Sequence, residues 1–172
     1  MGAPALLALT SAPVLAANCK LPSGFSASGN LSRTGSKNCS EAAPTPTVWS
    51  SMTTGNNGNN GNNGNNNLKY TGTNIKTTDT FIGAGFNVKY FAVGDSFATV
   101  LARGNLDIVA LTASAFLTAL AGGNSTTFPD SVKIARMWND GVAGTIGYTA
   151  TTGVVWHETE VRNYLLYLTG QA

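Results

Sequence analysis

The chain has 172 residues, a length that fits one domain with a real hydrophobic core. Only 10% of its residues are charged and the formal net charge is +2, so its polar surface must be built from Thr, Ser, Asn and Gly. The cations are dispersed rather than blocked together, which argues against a nucleic-acid partner, and no apolar run after the N-terminal stretch is long enough to span a bilayer.

The first element in chain order is the apolar stretch Ala3 to Leu15, interrupted by Pro4 and Pro13. It is too short for a transmembrane helix and fits the hydrophobic region of an export signal. Residues 1–17 therefore read as a signal peptide with a truncated basic region, since the first cation is Lys20, and cleavage is expected after Ala16 or Ala17. Gly2, Thr10 and Ser11 keep the stretch only moderately hydrophobic, which resembles a twin-arginine signal without its arginines. Cys19 is not a lipoprotein anchor, because Asn18 stands where Gly or Ala is needed. The expected location is exported, periplasmic or extracellular.

Cys19 and Cys39 are the only cysteines. In an exported chain they are expected to form one disulfide around a Gly/Ser-rich loop, worth about 3 kcal/mol in the chain-entropy view. Two thiols and the single histidine, His157, do not make a metal site, and no metal or other cofactor is expected.

Residues 18–54 lack periodicity and read as an irregular arm, with Pro44 and Pro46 favouring extended backbone before Trp49. Residues 55–67 repeat Gly-Asn-Asn and read as a flexible linker with a reach of about 20 Å. Residues 68–172 are expected to form the globular domain.

Within that domain, Thr80-Phe81-Ile82 and Asn87 to Val93 are rich in β-branched and aromatic residues and predict short strands. The segment Gly83-Ala84-Gly85-Phe86-Asn87 reads as a turn between them, because Val88 replaces the third glycine of a dinucleotide fingerprint. Asp95 predicts the cap of a helix burying Phe97, Val100 and Leu101. Asn105 predicts the cap of a longer helix, with Leu106, Val109, Ala110, Ala113, Leu117 and Leu120 on one face. Ile108, Leu111 and Phe116 make that helix apolar nearly all round, so it should be central and buried, ending at Gly122-Gly123. A third helix is predicted over 130–138, stopping at Asn139-Asp140-Gly141. Residues 142–155 read as a hairpin or loop, and 158–168 as a closing helix with Val161, Tyr164, Leu165 and Leu168 inward. The predicted class is α-rich α+β: a disulfide-stapled arm, short β strands, then a cluster of about four helices.

Few residues suggest chemistry. Gly94-Asp95-Ser96, between an apolar run and a helix, resembles the nucleophile block of the GDSL-type serine hydrolases. That resemblance makes Ser96 the candidate nucleophile and His157 the candidate base. Val154 stands where the family's closing Asp-x-x-His element needs aspartate, and helix capping accounts for the same residues. His157-Glu158-Thr159-Glu160 lacks the second histidine of a zinc-protease helix, because Val161 holds that place. Trp49 and Trp156 are candidates for stacking on sugars, against the alternative of core packing, which is also expected for Trp138. Formal glycosylation sequons begin at Asn30, Asn38 and Asn124 and are expected to be unused.

The order of features resembles a group of exported bacterial proteins of uncharacterised function. The likeness rests on Cys39-Ser40-Glu41 followed by Pro44, Pro46 and Trp49, on the Ala/Leu-rich run NLDIVALTASAFLTALAGG, on SVKIARMWN, and on the closing amphipathic helix. It implies a location and an architecture, and no activity or functional residue. The functional expectation is a secreted, non-enzymatic surface, matrix or filament-associated structural or adhesive protein. Self-assembly or cell-surface and glycan contact are its expected partnerships. The alternatives are a small GDSL-like hydrolase and a carbohydrate-binding module.

Overall fold

A computed structural model describes residues 43–55, 68–122 and 128–171. The expected signal segment, the Cys19–Cys39 disulfide, the sequons and all of the Gly/Asn tract except Gly55 lie outside the described residues. The fold is mixed α+β. In chain order it comprises α1 (Pro46–Ser51), β1 (Thr53–Thr54), β2 (Lys69–Tyr70), a 3-10 turn (Ile82–Ala84), α2 (Phe97–Leu101) and α3 (Ile108–Ala121). Then come α4 (Ser131–Arg136), a π-helical turn (Met137–Val142), β3 (Tyr148–Thr151), β4 (Val154–Trp156) and α5 (Glu158–Leu168). Two small antiparallel sheets pair β1 with β2 and β3 with β4.

Helix α3 is the axis of the molecule, in contact with α1, α2, α4 and α5. It carries no charge, and every residue from Ile108 to Ala119 is buried. Its two buried threonines at 112 and 118 are satisfied along the helix itself: Thr112 donates to the Ile108 carbonyl at 2.7 Å and Thr118 to the Ser114 carbonyl at 2.8 Å. A helix that is apolar all round needs neighbours on every side, and the helices about it supply them.

Residues 43–51 form part of that surround. The Ala43 amide donates to the Leu168 carbonyl at 2.8 Å, and Ser114 donates to the Pro44 carbonyl. Thr45 caps α1, whose Pro46 occupies the first turn where a missing N–H costs nothing. Trp49 is fully buried and donates through Nε1 to Thr118 at 3.1 Å. The segment that sequence periodicity leaves irregular is thus helical at its end and packed on the core.

The predicted strands at 80–82 and 87–93 are corrected by the structure. Residues 82–84 form a 3-10 turn, 87–93 belong to no strand, and the described β pairing here is a single bridge between Thr80 and Ser96. The aromatic residues in this segment are used for their rings rather than for a ladder. Phe81 stacks on Phe86 at 3.9 Å and meets Phe91, Phe97 and Trp138 edge-on. Gly85 at φ 97 reverses the chain between Phe81 and Phe86, a conformation that glycine adopts without penalty. High strand propensity here reflects suitability for a half-buried surface, not a backbone requirement.

The helix starts also differ from expectation. Ser96, not Asp95, caps α2, accepting from the Thr99 amide at 3.2 Å. Asp107, not Asn105, caps α3 through bonds from the Val109 and Ala110 amides at 2.9 and 3.1 Å. Leu106, expected on the inner face, precedes the helix and is exposed. Asn105 instead accepts from the Thr47 backbone and hydroxyl, tying α1 to the loop before α3. The predicted stop at Asn139-Asp140-Gly141 is overrun, because α4 widens into the π turn, where the Ala143 amide reaches the Trp138 carbonyl at 2.7 Å. Residues 148–156 form a hairpin, and α5 spans the predicted residues.

Candidate functional site

Ser96 and His157 serve separate parts of the fold. The Ser96 hydroxyl accepts from the Thr99 amide and lies 3.1 Å from the Thr99 hydroxyl, while its backbone bridges Thr80. His157 starts α5, where its amide donates to Glu160 at 2.9 Å, and its ring lies against Gly147. No hydrogen bond joins the serine to the histidine among the described residues. Both positions are accounted for by helix initiation.

The candidate stacking tryptophans are interior. Trp49 presents no surface, and Trp156 is 3% exposed and packs between Tyr148 and Tyr164 at ring distances of 6.0 and 5.2 Å. Neither ring offers a face to a sugar from solvent. Trp138 is core, as expected, with its indole N–H donating to the Asn87 carbonyl at 2.8 Å. Among the described residues no group of three or more His, Cys, Asp or Glu side chains is placed to hold a metal ion, and no helix is long and apolar enough to cross a membrane.

The feature that sequence reasoning missed is an open pocket of about 440 Å³ at the π turn, lined by Arg136, Asn139, Asp140, Thr145, Ile146 and Thr149 together with Gly144 and Gly147. Its size falls within the roughly 300–1,000 Å³ of small-molecule sites. Its floor is the π turn and its wall is the loop leading into β3. Two glycines allow that loop to fold so tightly. A Cβ on Gly144 would sit 2.7 Å from the Asn139 carbonyl oxygen and 2.8 Å from that of Asp140. Gly147 has φ +90, its amide donates to the Asp140 carbonyl at 3.1 Å, and an added Cβ would overlap Val155.

The pocket is anchored to the core through Asn139. Its Oδ1 accepts from the Asn87 amide and its Nδ2 donates to the Gly85 carbonyl, both at 2.8 Å, so the side-chain amide holds loop 85–87 at two points. Lys89 reaches the Val142 carbonyl at the end of the same turn and pairs with Glu158 at 3.2 Å. Charge across the pocket is balanced, with Arg136 Nε 3.5 Å from Asp140 Oδ2. Tyr148, just behind the wall, has its phenol pushed up by burial against the opposing pull of Arg136 and Lys133. Widened π turns recur at functional sites because they re-aim side chains and backbone groups that a regular helix would keep in line.

No protein-family model, curated protein or solved structure matches the chain.

Proposed function

We propose that the chain is an exported, non-enzymatic contact module of a surface, matrix or filament: a structural or adhesive protein rather than a catalyst. The observation that carries this reading is the hairpin end of the molecule. There Ile146 is 88% exposed, and Val154 and Val155 of β4 are also exposed, near an open pocket with balanced charge. Exposed apolar side chains at one hairpin end of a chain poor in charge suit contact with another surface. The low charge of the whole chain supports the same reading, since little electrostatic repulsion opposes close association. The hydrolase alternative draws no support from Ser96 or His157, both of which have structural duties at helix starts.

The test is fractionation of the producing cells together with sedimentation and electron microscopy of the purified protein. Recovery in the exported fraction, bound to the cell surface or in assemblies, is the expected outcome. A strictly monomeric protein confined to the cytoplasm, or esterase activity abolished by Ser96→Ala, would overturn the reading.

A further inference from the structure

We infer that the pocket at the π turn is a binding site for a neutral saccharide. This inference rests on the adhesive reading above and names what the module would adhere to.

Four observations converge. First, the lining offers donors and acceptors in mixed order: the guanidinium of Arg136, the carboxylate of Asp140, and the hydroxyls of Thr145 and Thr149. Among the described residues no hydrogen bond engages either threonine hydroxyl or the terminal nitrogens of Arg136, whose ion pair with Asp140 is made through Nε. A sugar hydroxyl both donates and accepts, so vicinal hydroxyls match such a set better than a ligand of one polarity does.

Second, the charges cancel. Arg136 faces Asp140, and the nearby Lys133 is paired with Asp130 at 2.8 Å. The Asp140 carboxylate 3.5 Å from Nε already offsets part of the guanidinium's charge, so the pocket attracts phosphate and uronate less than an unpaired arginine would, which favours uncharged sugars by comparison. Third, Ile146 lies bare at the rim. An aliphatic side chain against the C–H face of a pyranose recovers some of the apolar burial that Trp49 and Trp156, being interior, do not supply.

Fourth, the backbone that carries the lining is pre-ordered. Asn139 is bonded at both ends of its amide, and Gly147 is tied to the Asp140 carbonyl. With the backbone held, only the lining side chains remain to be ordered, so less entropy opposes binding than in a mobile loop. The polar atoms of the site are solvent-facing, so the affinity should be modest and suited to multivalent attachment along a glycan surface.

The experiment is an amide-resolved NMR titration of the folded protein. The probes are methyl glucoside, methyl galactoside, methyl mannoside, N-acetylglucosamine and cellobiose, with galacturonate and inorganic phosphate as charged competitors. At least one neutral sugar should shift the amides of residues 144–149 and saturate. Arg136→Gln should weaken that binding by about tenfold or more, the loss expected for one hydrogen bond from a charged donor. Thr149→Val, at an exposed position, should weaken it by a smaller factor while leaving the remaining spectrum unchanged.

Absence of shifts at 144–149 with every neutral sugar would overturn the inference. So would tighter binding of phosphate or galacturonate, or shifts that survive both substitutions. The adhesive reading is tested separately by surface association and sedimentation. A protein that associates without binding any sugar loses this inference and keeps that reading.

Discussion

Two aromatic clusters flank the central helix, and they stabilise opposite kinds of backbone. The first gathers Phe81, Phe86, Phe91, Phe97, Phe116 and Trp138 around the segment 81–91, which has almost no regular hydrogen bonding. The second gathers Tyr148, Trp156, Tyr164 and Tyr167 on a hairpin and a helix that satisfy their own backbone. In the first cluster the rings order the chain; in the second the chain orders the rings. The pocket lies where the two meet, with Asn139 bonded to the loop of the first and Gly147 packed under the strand of the second.

The sharpest way to break this contrast is Phe81→Ala, since Phe81 touches four other rings of its cluster. Loss of a buried phenylalanine costs about 3–5 kcal/mol. Denaturant unfolding should show that loss, and hydrogen exchange should show segment 81–91 losing protection before the hairpin does. Equal loss of protection in both regions would mean that the clusters act as one unit.

Gly147→Ala attacks the boundary. A Cβ at φ +90 overlapping Val155 should cost about 2–3 kcal/mol through backbone strain and overpacking. The expected readout is a lower unfolding midpoint together with altered chemical shifts across residues 144–156. The aromatic loop should be little changed. A smaller effect is expected for Ser96→Ala, which removes the cap of α2 and should cost about 1 kcal/mol in a urea melt. The same variant should leave any trace of esterase activity in the preparation unaltered.

The last comparison appears only in alkali. Burial raises the phenols of Tyr164 and Tyr148 in the second cluster and pushes Tyr70, which packs against Phe97 at the edge of the first, up to about 12, whereas the rings of segment 81–91 except exposed Tyr90 carry nothing to titrate. Below the unfolded value near 10, both states keep their phenolic protons and the stability is fully present. As pH rises above that value, the unfolded chain releases protons that the folded one retains, so stability falls through the folded values. Urea midpoints should therefore be flat from pH 7 to about 9.5 and decline beyond it, with the hairpin and α5 opening before segment 81–91. Tyr164→Phe should flatten that decline. An unchanged slope in the variant would show that this phenol does not govern it.

Much of the helical frame was legible in the chain itself. The uncharged run 108–121 has only one way to satisfy its side chains, by burial on all sides, and the alternation of apolar and charged residues over 158–168 fixes α5 and its inner face. Helix starts were legible only to within a few residues. Asp95 and Ser96, or Asn105 and Asp107, are all competent caps, and the backbone angles that choose between them depend on where the preceding chain is anchored. Asn105 is occupied by Thr47, a residue 58 positions earlier in the chain.

The segment 80–93 misled because propensity records which side chains pack well, and its phenylalanines pack into a ring cluster rather than along a sheet. Trp49 and Trp156 were ambiguous for a related reason: the sequence names a large ring without saying which side of the surface it occupies.

The amino-acid order by itself thus determined that a buried, uncharged helix would dominate this protein, that an amphipathic helix would close it, and that its surface would be poor in charge. Those properties follow from local periodicity and composition. Only the tertiary structure decided that residues 43–51 join the core, that the aromatic loop dispenses with strands, and that α4 opens into a π turn with a pocket above it. Each of these depends on partners far apart in the chain, such as Trp49 with Thr118, Gly85 with Asn139 and Gly147 with Val155. Contacts of that kind leave no periodic trace in the sequence.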